Sequence, residues 1–214
     1  MNLLSIECST AHASLCLAGE ASYSCEWVAE RNHDAHLFPA LRGALAALGA
    51  APLGAILVGS GPGSYGGVRV ALAAATGVAL VRGCGVAPVC SWQALAEGRA
   101  SILSDAKRGG WTLRRPDGQL SVLTTPEVQQ ALAGGEIIWS VEPAATLERA
   151  GLSLPRCGLV PTAAGLVVTW HSLTPKQQQA LLSAPAEPIY VRPPHITTPK
   201  HKPWEIRKNQ LSSH

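Results

Sequence analysis

Apolar residues recur along this chain in two different periods, and the switches between them mark out a succession of strands and helices. Leu3, Leu4 and Ile6, then Ala13, Leu15 and Leu17, form two apolar runs joined by a polar turn at Ser9 and Thr10. That pattern predicts a hairpin with strands at 2–8 and 13–19. A third strand is expected near 22–30. Over 34–48 the apolar positions Leu37, Leu41, Ala44, Leu45 and Leu48 fall three and four apart, which predicts a helix with one apolar face. Pro39 lies in its first turns, where a lost N–H is tolerated. A strand at 54–59, a second helix over 67–81 and a strand at 85–90 follow. That second helix carries Ala or Gly at 71, 73, 74, 75, 77 and 79, so another backbone can approach it closely.

The second half of the chain is less regular. Residues 111–115 and 119–124 flank the turn Pro116-Asp117-Gly118 and predict a hairpin. Thr124 and Glu127 then form a capping box that opens a short helix to Ala133. A strand at 136–141 and helices near 144–150, 162–170 and 174–183 complete it. The expected organisation is an N-terminal lobe over 1–98, a smaller lobe over 99–191 and a basic tail over 192–214. The tail carries Arg192, Lys200, Lys202, Arg207 and Lys208 against Glu205. Pro193, Pro194, Pro199 and Pro203 bar it from helix or central strand before Trp204. It reads as a flexible, solvated chain end, with contact to RNA phosphates as the other reading, and residues 196–214 are expected to be dispensable for folding.

Composition narrows the class only slightly. Of 214 residues 47% are hydrophobic and 14% charged, enough for a real core. No apolar run approaches the ~20 residues of a bilayer span, so no membrane association is expected. Glu7 interrupts the first apolar stretch and no basic region precedes it, which speaks against a signal peptide. Six cysteines lack any C-x-x-C pairing and several lie in apolar strand patterns. They read as free thiols of a cytoplasmic protein.

The richest chemistry lies at Gly61, Gly63, Gly66 and Gly67, between a strand and a helix. A glycine turn there can aim backbone N–H groups and a helix dipole at one anion. A P-loop is excluded, because Gly67 and Val68 stand where Lys and Ser/Thr are needed. A dinucleotide fingerprint is also incomplete. The next strand ends at Cys90-Ser91-Trp92, and no acidic residue follows until Glu97.

The flanking residues carry a resemblance. The segments ECSTAHASLCL from Glu7, HDAHLFPAL from His33 and GSGPGSYGGVRVALAAATGVAL from Gly59 resemble the motifs of the TsaB (YeaZ) family. The resemblance continues at Val89–Ala96, at Asp105-Ala106-Lys107-Arg108-Gly109 and at Pro188-Ile189-Tyr190-Val191-Arg192. It implies an α/β chain with the two-lobed actin-like, Hsp70-like fold and a shortened second lobe. It also implies a noncatalytic subunit, needed for N6-threonylcarbamoyladenosine formation in tRNA, that binds and activates the transferase TsaD together with TsaE. TsaB proteins self-associate or meet TsaD through the two N-terminal-lobe helices. The implied interface residues here are His36, Leu37, Ala40, Leu41, Val70, Ala74, Thr76 and Gly77. The first helix presents a Leu37, Leu41, Leu45 and Leu48 stripe and the second is faced with Ala and Gly; a sheet can cover only one side of each, so something else is expected to cover the rest. Contact with tRNA is expected through the complex. The alternative is a small nucleotide-binding transferase or ATPase of the same fold acting on its own.

Several residues have both a chemical and a plain reading. Ser9, Thr10, Gly63 and Ser64 are the phosphate-loop candidates, although no cofactor is expected. Glu7 stands where actin-like ATPases place an Asp after the first strand, but its partner acid is not identifiable, so it is expected to bond backbone donors of the Ser9-Thr10 turn. His33 and His36 are three apart, whereas the paralogue TsaD uses H-x-x-x-H; they read as polar residues of a helix start, and no metal is expected. Ser64 lies outside any nucleophile elbow and reads as a turn serine. Asp105 is either a carboxylate for contacts between the lobes or part of a linking turn.

Overall fold

The computed structural model describes residues 1–29, 33–96, 99–106 and 109–191. The tail over 192–214, Glu97, Lys107 and Arg108 therefore lie outside the described residues.

Alternation along the first strands builds a sheet with two working faces. β1 (Asn2–Glu7), β2 (His12–Ala18), β3 (Tyr23–Val28), β4 (Leu53–Gly59) and β5 (Gly85–Val89) form one sheet in the order β3-β2-β1-β4-β5. β1 pairs antiparallel with β2 and parallel with β4. Because side chains alternate across a strand, Leu4, Ile6, Ile56 and Val58 enter one core while Leu3, Ala55 and Leu57 enter another.

Two helices cover the first face. α1 (Asp34–Leu48) turns Leu37, Ala40, Leu41, Ala44 and Leu48 inward. Leu37, Leu41 and Leu48 of the stripe are thus covered by the chain's own sheet, with Leu37 0% exposed, while Phe38 on the other side is 55% exposed. α2 (Tyr65–Arg82) begins two residues earlier than expected, because the Ser64 hydroxyl accepts the Gly67 N–H at 3.3 Å and caps it. It ends on left-handed Gly83. Gly67 lets this helix lie directly on the Cys8 carbonyl, where any Cβ would collide.

After α3 (Gln93–Ala96), the second sheet runs β8-β7-β6-β9, from β6 (Ser101–Asp105), β7 (Gly110–Arg114), β8 (Leu120–Thr124) and β9 (Ile138–Ser140). The sequence pattern does not predict β6, which carries Asp105 at its end instead of in a linking turn. α4 (Thr125–Ala133) starts at the expected capping box, with Glu127 accepting from both the backbone N–H and the hydroxyl of Thr124 at 2.7 Å. α5 (Ala144–Arg149) completes this unit.

The chain then returns to the first sheet, so the helices expected within the smaller lobe at 162–170 and 174–183 pack on the larger one. α6 (Ala163–Ser172) and α7 (Pro175–Ser183) belong to the first sheet's second face, where Leu166, Val167 and Trp170 pack with Leu3, Leu57 and Val89. The reason is exposure: without them that face would meet water. Ser5 and Ser14, on adjacent strands, clamp the peptide groups of Ala163 at 2.8 Å each, one donating to its carbonyl and the other accepting its N–H. All six cysteines are unpaired.

These contacts predict an asymmetric mutational response along the two helices. Leu37→Ala should cost about 3 kcal/mol in urea unfolding. Leu80→Ala, on the outer side of α2, should stay within about 0.5 kcal/mol of the parent. Equal effects would contradict the packing.

Candidate functional site

Three donors of the glycine loop after β4, on Ser60, Gly61 and Ser64, are taken by bonds within the protein. Ser60 N–H donates to Val89 O at 2.8 Å, Ser91 N–H to Gly61 O at 3.0 Å, and Ser64 N–H to Ser9 O at 2.6 Å. Gly61 N–H donates to Ser91 Oγ at 3.1 Å. Pro62 has no N–H at all. The loop is thus spent on tying β1, β4 and the segment after β5 together. Of the phosphate-loop candidates, Ser9 is buried, Thr10 donates its hydroxyl to His12 O at 2.7 Å, Ser64 caps α2 and Gly63 is exposed. The structure brings Ser9 and Ser64 together, but through backbone groups.

Glu7 ends β1 with its carboxyl fully buried. Gly59 makes the room, since a side chain there would overlap the carboxyl. Oε1 accepts the Ser9 N–H at 2.6 Å, as the sequence led us to expect. Oε2, the Ser9 hydroxyl and His33 Nδ1 have no hydrogen-bond partner among the described residues. Burial pushes the Glu7 carboxyl above its ordinary value, a rise that bonds from Ser9 offset only in part. Burial likewise lowers His33. His33 lies near Gly67 while His36 is exposed, so the two do not share a site.

The larger feature is a cleft between the two sheets, with a cavity of about 460 Å³. The glycine loop Ser60–Ser64, Tyr65 and Val68 line it from the first lobe. Ser104, Asp105, Thr112 and Glu142 line it from the second, with Trp92 and the segment 188–191 between. Ile189 N–H donates to Ser60 O at 2.8 Å and seats that segment. At the cleft edge the Tyr65 and Tyr190 rings stand 5.7 Å apart, and Arg69 lies 5.0 Å over Tyr65 while donating to its hydroxyl at 2.9 Å. Asp105 reaches the cleft as a carboxylate between lobes. Glu142, Thr112 and Trp92 do not stand out in the sequence. Their only signal is position at or near strand ends, which becomes visible once β6, β7 and β9 are known.

The implied interface residues divide. Leu37, Ala40 and Leu41 are buried in the chain's own core, which removes them from any contact surface. Val70 and Ala74 are half-buried against that core. His36, Thr76 and Gly77 are exposed. Beside the last two, Leu80 and Val81 are 81% and 86% exposed; sequence reasoning misses them because the small residues of α2, not the large ones, carry its signal.

Residues 27–108 match the family described as TsaD: tRNA N6-adenosine threonylcarbamoyltransferase. A crystal structure described as an uncharacterized protein with similarity to peptidase YEAZ from Pseudomonas aeruginosa superposes with a TM-score of 0.67. It is 24% identical and the match covers 89% of this chain and 99% of that one. YeaZ from Pseudomonas aeruginosa superposes at 0.65, with 22% identity over 88% of this chain and 99% of that one. This chain has the YeaZ fold. No curated protein matches the sequence. The two-sheet α/β architecture agrees with the YeaZ structures and with the actin-like fold of the TsaD family.

Within this YeaZ-like fold, Glu7 predicts a pH dependence. Its raised value means that the native state holds a proton which the unfolded chain releases near the ordinary carboxylate range. Stability from this group is full below that range and is lost as pH rises through the native value. Glu7→Gln should therefore flatten the decline in urea-measured stability as pH rises above the ordinary carboxylate range. Parallel pH profiles for parent and variant would refute the assignment.

Proposed function

We propose that this chain is a noncatalytic subunit serving N6-threonylcarbamoyladenosine formation in tRNA, docking on a TsaD-type transferase and holding it in its active shape. TsaE is the third component, tRNA is reached through the complex, and the setting is the cytoplasm. In the absence of a transferase the same surface pairs two copies of this chain. The observation that carries the reading is the outer side of α2, where Thr76 and Gly77 adjoin the exposed Leu80 and Val81. It lies within the segment that matches the TsaD family. Small residues beside large apolar ones suit close helix packing.

The rival reading, a nucleotide-binding enzyme, is disfavoured by the loop. The N–H groups of Ser60, Gly61 and Ser64 are bonded within the protein, and Asp105 and Glu142 stand among the residues lining the cleft. Phosphate would meet carboxylates there. The peptidase in one neighbour's description finds no support in Ser64, whose hydroxyl caps α2 and bonds to no histidine among the described residues.

Co-purification with a cognate TsaD, followed by a tRNA modification assay with and without this chain, tests the reading. Modification should require the chain. Thr76→Arg and Leu80→Arg, introduced separately, should leave the monomer folded and weaken self-association and TsaD capture roughly 100-fold, because each buries an unpaired charge. Folded variants that still associate and still support modification would remove the proposed surface. Calorimetry with Mg-ATP should give no low-micromolar binding, and finding it would favour the enzyme.

A further inference from the structure

The cleft has a chemistry that the proposed function does not use. Thr112 is only 5% exposed and lines the cavity, yet its hydroxyl bonds to no described group. Trp92, 2% exposed, also lines it, and its indole N–H likewise has no described acceptor. Glu142 accepts from the Ser104 hydroxyl and the Asp105 N–H through Oε1, both at 3.1 Å. Its Oε2 makes no hydrogen bond among the described residues. Asp105 has a further interaction of its own and is not counted among the groups open to a ligand.

We propose that this cavity binds an organic cation, a guanidinium or primary ammonium group on a carrier that also offers a neutral acceptor oxygen. The cation faces Glu142 Oε2 and the Thr112 hydroxyl, and the acceptor meets the Trp92 N–H. Volume suits a small metabolite. The Glu142 carboxylate and the two tyrosines at the edge favour a positive ligand over an anion. Arg69 already stacks on Tyr65 from its own helix, so that ring is suited to such a neighbour. This binding is independent of docking through α2.

The test uses the full chain with Nα-acetyl-L-argininamide as probe, and Nα-acetyl-L-citrulline amide, which has no ammonium or guanidinium group, as its uncharged isostere. Calorimetry should give a millimolar or tighter dissociation constant for the argininamide, and the Trp92 indole resonance should shift on titration. The citrulline amide should bind about tenfold more weakly, the difference between a charge-assisted and a neutral hydrogen bond. Glu142→Gln should remove that discrimination. Thr112→Val, close in shape, should weaken both ligands severalfold and serves if the first variant fails to fold. Equal affinity for the two amides in the parent, preference for inorganic phosphate or Mg-ATP, no argininamide binding up to about 10 mM, or binding untouched by both substitutions would overturn the proposal.

Discussion

Residues 3–6 of β1 and 55–59 of β4 run side by side with no position open to solvent, and a parallel pair buried on both faces requires cover on each side. The rest of the architecture meets that requirement. α1 and α2 close one face immediately. The other stays bare until α6 and α7 arrive from the far end of the chain. The interposed second sheet therefore has to fold out and hand the chain back, and the cleft is the seam that this excursion leaves.

The N-terminal half is readable because its elements are long and their periods clean. The Leu37–Leu48 spacing predicts α1, and the glycine loop predicts a strand passing into a helix. The fold implied by the resemblance is the one observed. Periodicity fails at β6, a five-residue strand whose apolar content amounts to Ile102 and Leu103. It also fails to say which helices belong to which sheet. Ala163 joins the first lobe through bonds to Ser5 and Ser14, 158 and 149 positions away, and Trp170 through packing on strands β1, β4 and β5, and no local pattern carries that information.

The site is legible only in part, for the same reason. Glu7 bonds the Ser9 N–H because two positions along one turn suffice to predict it. The glycine loop reads from sequence as a set of free donors, since sequence shows how many N–H groups a loop has but not that Val89, Ser91 and Ser9 consume or tie them. Sequence does not say which of Leu37, Leu41, Leu45 and Leu48 the sheet covers, because an apolar stripe carries no sign of its neighbour. Glu142 and Thr112 reach the same side of the cleft only through pairing of β6 with both β7 and β9.

The clamp of Ser5 and Ser14 on Ala163 has a temporal meaning. During synthesis the first five strands leave the ribosome long before Ala163 does, so the nascent N-terminal half carries an apolar sheet face with nothing to lay against it. Contacts that span most of a chain close slowly, and in this interval the bare face is the surface on which misassembly would start. The polar clamp sits in the middle of that face. Two hydroxyls held ready for one distant peptide make the late arrival of α6 a docking step with a single satisfied register, in place of a slide along greasy strands.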